Sequence, residues 1–212
     1  WLVAATVRHV GAQVEDDRES DLLPAATTLG AYAEVPVGWG FSLVLRGETA
    51  PLAVARRRLR SDPLFAGADG LRYDSLATLL TTDRPNETTL RFLPDGTMAA
   101  LVRREAGNRH AWIGTSRHPF TEWSWHDSGH SLGGPNFIVL PNGEMWAAGR
   151  SSERTTVLGR LYPDRFEQML TLPSGGDTSY PGLAWHDGML WISYYSSHEG
   201  RAAIYLAQVR LP

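Results

Sequence analysis

Two arginines and a tyrosine stand seven residues after a turn glycine in three successive segments: Arg103 after Gly96, Arg150 after Gly143 and Tyr195 after Gly188. Two guanidiniums that end equivalent strands converge if they point to a common axis, and together they can hold a carboxylate through planar, bidentate contacts. A lone strand-end arginine is ordinarily solvated; matched positions set the convergent reading beside that bland one. Ahead of the same turns, Glu87 lies nine residues before Gly96 and Tyr180 eight before Gly188, whose turn is one residue shorter. The two occupy like positions, and the intervening segment has Gly134 there, which implies open space between them. Tyr180 also sits between a polar glycine loop and an apolar strand, where a phenol either caps the strand or takes part in chemistry.

The elements that must carry these residues repeat. "LRFLPDGTMAALVRR" (90–104), "FIVLPNGEMWAAGRS" (137–151) and "GLAWHDGMLWISYYS" (182–196) are each an apolar strand, a D-G or N-G turn and a second strand. That is a strong short-range hairpin signal. The turn glycines are 47 and 45 residues apart, and a weaker hairpin follows each of the first two. Four short strands per unit of this length predict β-propeller blades; a sandwich has no reason to keep the period. Small residues in "AALV" and "WAAG" suit strands crowded near a propeller axis. The reading is all-β: four-stranded antiparallel blades covering 86–133, 134–178 and 179–212, the last incomplete, after an irregular region 1–85. About three and a half blades do not close a ring. A chain that opens on Trp1 in strand-like sequence therefore reads as a piece of a longer protein, with further blades expected before it.

Composition bounds the rest. The chain has 212 residues, 42% of them hydrophobic, with 21 Gly, 13 Pro and no Cys. This is globular and too rich in Gly and Pro for a helical bundle, and it offers neither disulfides nor thiolate metal sites. A formal net charge of −3 gives no reason to expect a nucleic-acid partner or an anionic membrane surface, and the basic run 56–60 reads as a solvated edge. No apolar run approaches a membrane span, and the N-terminus lacks the basic start of a signal peptide. His126 and His130 have the spacing of a helical metal pair, but their segment reads as a loop, so no metal and no cofactor are expected. Most of Trp112, Trp123, Trp125, Trp146, Trp185 and Trp191 should be inter-blade core.

"NETTLRFLPDGTMAALVRR", "GPNFIVLPNGEMWAAGR" and "SYPGLAWHDGMLWISYYSSHEG" together resemble the sialidase (neuraminidase) superfamily, with its six-bladed propeller, over residues 86–212. "SRHPFTEW" (116–123) keeps the Ser and Trp spacing of the family's Asp-box turn, with His118 and Phe120 at its Asp and Gly positions. The resemblance implies a retaining exo-sialidase-like hydrolase in which Tyr180 is the nucleophile and Glu87 its base, a known exception to carboxylate nucleophiles. It also implies that Arg103 and Arg150 hold the carboxylate of a sialylated or other acidic glycan. A phenol, with an ordinary pKa of about 10, needs such a base. The family's third arginine and its acid/base aspartate have no clear counterpart; Arg8, Asp16, Asp17 and Asp21 are the nearest candidates, and Asp177 belongs elsewhere in the pattern. This chain alone is therefore expected to lack turnover. A propeller that binds glycans or proteins without catalysis, and a hydrolase or lyase of another acidic sugar, are the competing readings.

Overall fold

The computed structural model describes residues 4–10, 63–67 and 74–212. The acidic loop 15–21, the basic run 56–60, Asp16, Asp17 and Asp21 lie outside them, as does the side chain of Arg8. The described residues form β-strands: β1 (Ala4–Val10), β2 (Pro63–Ala66), β3 (Asp74–Thr78), β4 (Pro85–Phe92), β5 (Met98–Arg104), β6 (Trp112–Ser116), β7 (Ser124–Asp127), β8 (Gly133–Val139), β9 (Met145–Arg150), β10 (Thr156–Leu161), β11 (Phe166–Thr171), β12 (Thr178–His186), β13 (Met189–Ser196) and β14 (Ala203–Arg210). Three four-stranded antiparallel sheets, β4-β5-β6-β7, β8-β9-β10-β11 and β12-β13-β14-β1, accompany a two-stranded sheet of β2 and β3. The third sheet takes its fourth strand from the other end of the chain, β1 pairing with β14 from Ala4↔Arg210 to Val10↔Ile204.

Turn chemistry sets the register of each inner hairpin. Leu93 N–H donates to Thr97 O at 2.8 Å and Gly96 N–H to Leu93 O at 2.9 Å; Leu140, Gly143 and Glu144 repeat the pattern. Gly96 and Gly143 take φ of 80° and 84°, the left-handed residue that closes a three-residue hairpin loop. The third turn is one residue shorter, with Asp187 at φ 48° and Gly188 at 71°, the two-residue turn that D-G favours.

The second strands of the first two sheets, β5 and β9, are covered on both faces, so they read as unbroken apolar runs, whereas β13 alternates between buried and more open positions. Period-two geometry then assigns the residues of β5 and β9 to different cores. Met98, Ala100 and Val102 of β5 pack with Leu64, Leu79 and Leu90, whereas Ala99 and Leu101 join Phe137, Ala147 and Val157 from the next sheet. In β9, Met145 and Ala147 face that same cluster, while Trp146 and Ala148 face Leu158, Leu190 and Ile192. The alanines let neighbouring sheets approach, and each large buried side chain contributes about 1.5–3 kcal/mol. Of the tryptophans, Trp146 is fully buried; Trp123 and Trp125 stack on each other with ring centroids 5.4 Å apart, half-buried at the outer strand of the first blade.

Polar groups join the inner strands β4, β8 and β12. Thr89 Oγ1 donates to Pro135 O at 2.7 Å, and Ser179 Oγ donates to Gly133 O at 2.9 Å. Asn136 links all three sheets, accepting from Arg91 Nη2 at 2.9 Å and donating to Pro181 O at 2.8 Å. Blade-to-blade placement is therefore fixed by directional bonds as well as burial, and the inner strand ends are held in a common frame. Among the described residues, no helix is long and apolar enough to cross a membrane.

Candidate functional site

Each inner strand is broken by a bulge near its start, between Asn86 and Thr88, between Gly133 and Asn136, and between Ser179 and Gly182. Glu87, Gly134 and Tyr180 stand at those bulges with φ of 33°, 54° and 50°. A left-handed backbone is ordinary for glycine but strained for the other two, at about 1–3 kcal/mol each. The residues just before the bulges pair across with the strand-end set: Asn86 with Arg103, Gly133 with Arg150 and Ser179 with Tyr195. All six positions thus lie at the same end of three neighbouring sheets.

The bulges turn Glu87 and Tyr180 toward each other. The Tyr180 hydroxyl donates to Glu87 Oε1 at 2.6 Å, across 93 residues of sequence. Glu87 Oε2 accepts from Arg103 Nη1 at 2.5 Å and from the Gly134 N–H at 2.9 Å. Gly134 does not leave open space. A Cβ there would fall 2.3 Å from Ser179 Oγ and 2.9 Å from Tyr180 Cδ1, so the missing side chain is replaced by the tyrosine ring packed over the glycine. Sequence reasoning also missed the Gly134 N–H as a donor, since nothing local marks a backbone group aimed at a residue one blade away.

Electrostatics follow from these contacts. Burial pushes the Glu87 carboxyl up, but the hydrogen bonds from Arg103, Tyr180 and Gly134, with the Arg103 charge, outweigh it and hold Glu87 below the usual carboxylate range. Its hydrogen bond to Glu87, then burial and the Glu87 charge, push Tyr180 up to about 12, against a smaller pull from Arg103. At neutral pH the pair is a carboxylate and a phenol, with the proton on the phenol. Tyr180 is nevertheless 61% exposed.

Both arginines already have carboxylate partners. Arg103 pairs with Glu87 and, through Nη2, with Glu105. Arg150 Nη1 lies 3.5 Å from Asp177 Oδ1, which also accepts from the Tyr195 hydroxyl at 2.9 Å. Tyr195 in turn lies alongside Tyr180, ring centroids 6.2 Å apart and planes 24° from parallel. The structure therefore brings Glu87, Tyr180 and Arg103 into direct contact and sets Arg150 beside them through Asp177 and Tyr195. Glu105 and Asp177 are the residues that sequence reasoning did not join to this cluster. His126 lies in β7, and the His130 ring meets Phe166 edge-on at 5.3 Å. No group of three potential metal ligands occurs among the described residues.

No protein-family model matches the chain, and no curated protein matches it. Similarity to solved structures is clear and lies elsewhere than the sequence suggested. A Bacteroides ovatus protein described as xyloglucan PUL GH43B superposes with a TM-score of 0.59 at 15% identity, over 86% of this chain and 39% of that one. The exo-β-1,3-galactanase 1,3Gal43A of Clostridium thermocellum gives 0.57 at 13% identity, over 90% and 46%. A mutant of the GH43 protein BlXynB from Bacillus licheniformis gives 0.56 at 13%, over 87% and 40%. The four-stranded antiparallel sheets of this chain match part of a five-bladed GH43 propeller. The chain spans less than half the length of each of these three proteins.

This corrects the sialidase reading and its six blades. A hairpin repeat near 46 residues is common to propellers whatever their blade number, so the period and the shared hairpin register do not distinguish a six-bladed from a five-bladed one. The Asp-box reading falls with it. Segment 116–123 closes on itself through Ser116 Oγ to Glu122 O at 2.5 Å and Trp123 Nε1 to Phe120 O at 3.0 Å, bonds that need neither the motif's Asp nor its Gly.

Proposed function

We propose that the chain is part of a glycoside hydrolase of the propeller class, and that a neutral glycan seats at the rim formed by Glu87, Tyr180 and Arg103. Fold alone does not carry function; the observation that supports this reading is the 2.6 Å hydrogen bond between Tyr180 and Glu87, made by two residues held in strained bulges of different blades. Strain kept at matched positions marks a site whose geometry is maintained for use. A carboxylate fixed by three donors accepts a sugar hydroxyl, and an exposed tyrosine beside it offers the apolar face on which a sugar ring packs. Neutral glycans are favoured because Arg103 and Arg150 are already engaged by Glu87, Glu105 and Asp177. A sugar carboxylate would have to displace those partners.

Hydrolysis of a glycosidic bond with inversion uses one carboxyl group as acid and another as base. Glu87, held ionised, suits the acceptor or base role and not that of the acid. The test is titration calorimetry of the chain with β-1,3-galacto-, xylo- and arabino-oligosaccharides, alongside reducing-sugar release by the full-length protein. Saturable binding of one neutral series, weakened at least tenfold by Glu87→Gln, is expected. Binding that Glu87→Gln leaves intact, or no neutral series bound, overturns the reading.

A further inference from the structure

We propose that Asp177, Arg150 and Tyr195 form a second sugar subsite beside Glu87 and Tyr180, so that the ligand is a neutral oligosaccharide of two or more units. This rests on the glycan reading of the first cluster and extends it along the second and third sheets. Asp177 is 67% exposed, yet it is held in place. Its N–H donates to Ser197 Oγ at 2.8 Å, Ser197 N–H returns to Asp177 O at 2.9 Å, and Gly175 N–H donates to Ser196 Oγ at 3.1 Å. The loop before β12 is thereby pinned to the end of β13. A fixed carboxylate on a rigid element has already met the ordering cost that a mobile one meets on binding.

Only one of its oxygens is engaged. Oδ1 accepts from Tyr195 and faces Arg150, while Oδ2 has no partner among the described residues. A free carboxylate oxygen beside a guanidinium offers an acceptor and a donor side by side. Vicinal sugar hydroxyls, each both donor and acceptor, match that pair. Charge is balanced between Arg150 and Asp177, which again suits a neutral ring. The Tyr180–Tyr195 stack connects this pair to Glu87, so one oligosaccharide can touch both clusters along a continuous aromatic edge.

Calorimetry with galactose, β-1,3-galactobiose and β-1,3-galactotriose, and the xylose series in parallel, tests the subsite on the whole chain. In the wild type, affinity should rise from mono- to disaccharide. Asp177→Asn should cost the disaccharide and trisaccharide about tenfold, about 1.4 kcal/mol, and leave the monosaccharide within about twofold. Tyr195→Phe, which keeps the ring but removes the bond that orients Asp177, should reproduce part of that loss should Asp177→Asn fail to fold. Equal losses for mono- and disaccharide, or none, overturn the subsite while leaving the first cluster standing. Sugars that bind equally to wild type and Glu87→Gln, or no binding at all, remove the underlying reading and the subsite with it.

Discussion

Replacing Gly134 by alanine tests the packing that brings Glu87 and Tyr180 together. The new Cβ would sit 2.3 Å from Ser179 Oγ, 2.9 Å from Tyr180 Cδ1 and 3.0 Å from Tyr180 N. Ser179 can rotate away only by giving up its 2.9 Å bond to Gly133 O, and Tyr180 N is a backbone atom with no rotamer to give. A left-handed φ of 54° adds about 1–2 kcal/mol for a residue with a Cβ, and forcing the contact adds about 1–3 kcal/mol. The expected loss is therefore about 2–5 kcal/mol by urea unfolding, or roughly 2–4 °C of Tm per kcal/mol for a chain of this size. The displaced phenol loses its acceptor, so Tyr180 should titrate below its native value of about 12, toward the ordinary value of about 10. Phenolate difference absorbance, with Tyr180→Phe as the blank, reads that shift. A stability change under about 0.5 kcal/mol with an unchanged Tyr180 titration would refute the packing argument.

Glu87→Gln should lower the Tyr180 pKa from about 12 by removing the charge that holds its proton, read by the same absorbance titration. Stability should be flat at neutral pH and fall on both sides. The depressed Glu87 pKa contributes stability above the unfolded carboxyl value, lost as pH falls through the lower folded value; the raised Tyr180 pKa contributes below about 10, lost as pH rises toward about 12. Tm against pH checks this: Glu87→Gln should weaken both arms, and Tyr180→Phe should remove the Tyr180 part of the alkaline arm and also weaken the acid one, because Glu87 loses that hydrogen bond. Gly143→Ala should cost only about 1–2 kcal/mol of backbone strain, because nothing lies within 4 Å of its Cβ, whereas Gly159→Ala drives a Cβ to 2.1 Å from Glu167 O and should cost more. Leu158→Ala, at a fully buried position between the second and third sheets, should cost about 2–5 kcal/mol; urea unfolding checks all three.

What the sequence made legible was whatever repeats locally. The D-G and N-G turns define the hairpins, counting from Gly96, Gly143 and Gly188 puts Glu87, Gly134 and Tyr180 on one rim, and the missing turn residue before Gly188 is real. What it concealed depends on distant partners. The strand Ala4–Val10 finds its partner in Ala203–Arg210, a pairing with no local trace. The bulges are set by cross-strand register, so the positive φ of Glu87 and Tyr180 could not be read from residue type. Arg103 and Arg150 looked available to a substrate because Glu105 and Asp177 lie outside the repeat pattern. Blade number depends on the angle between neighbouring sheets, and a 45-residue period says nothing of it.

The proposed function stands or falls on a neutral glycan occupying the Glu87–Tyr180 rim. A crystal structure of the chain with β-1,3-galactotriose, or with the xylose counterpart if that series binds, tests it most directly. A sugar hydroxyl should lie within hydrogen-bond distance of a Glu87 carboxylate oxygen, with a sugar ring against Tyr180. Sugar bound elsewhere, such as along the stacked Trp123 and Trp125, with the Tyr180–Glu87 bond untouched by ligand, would contradict it.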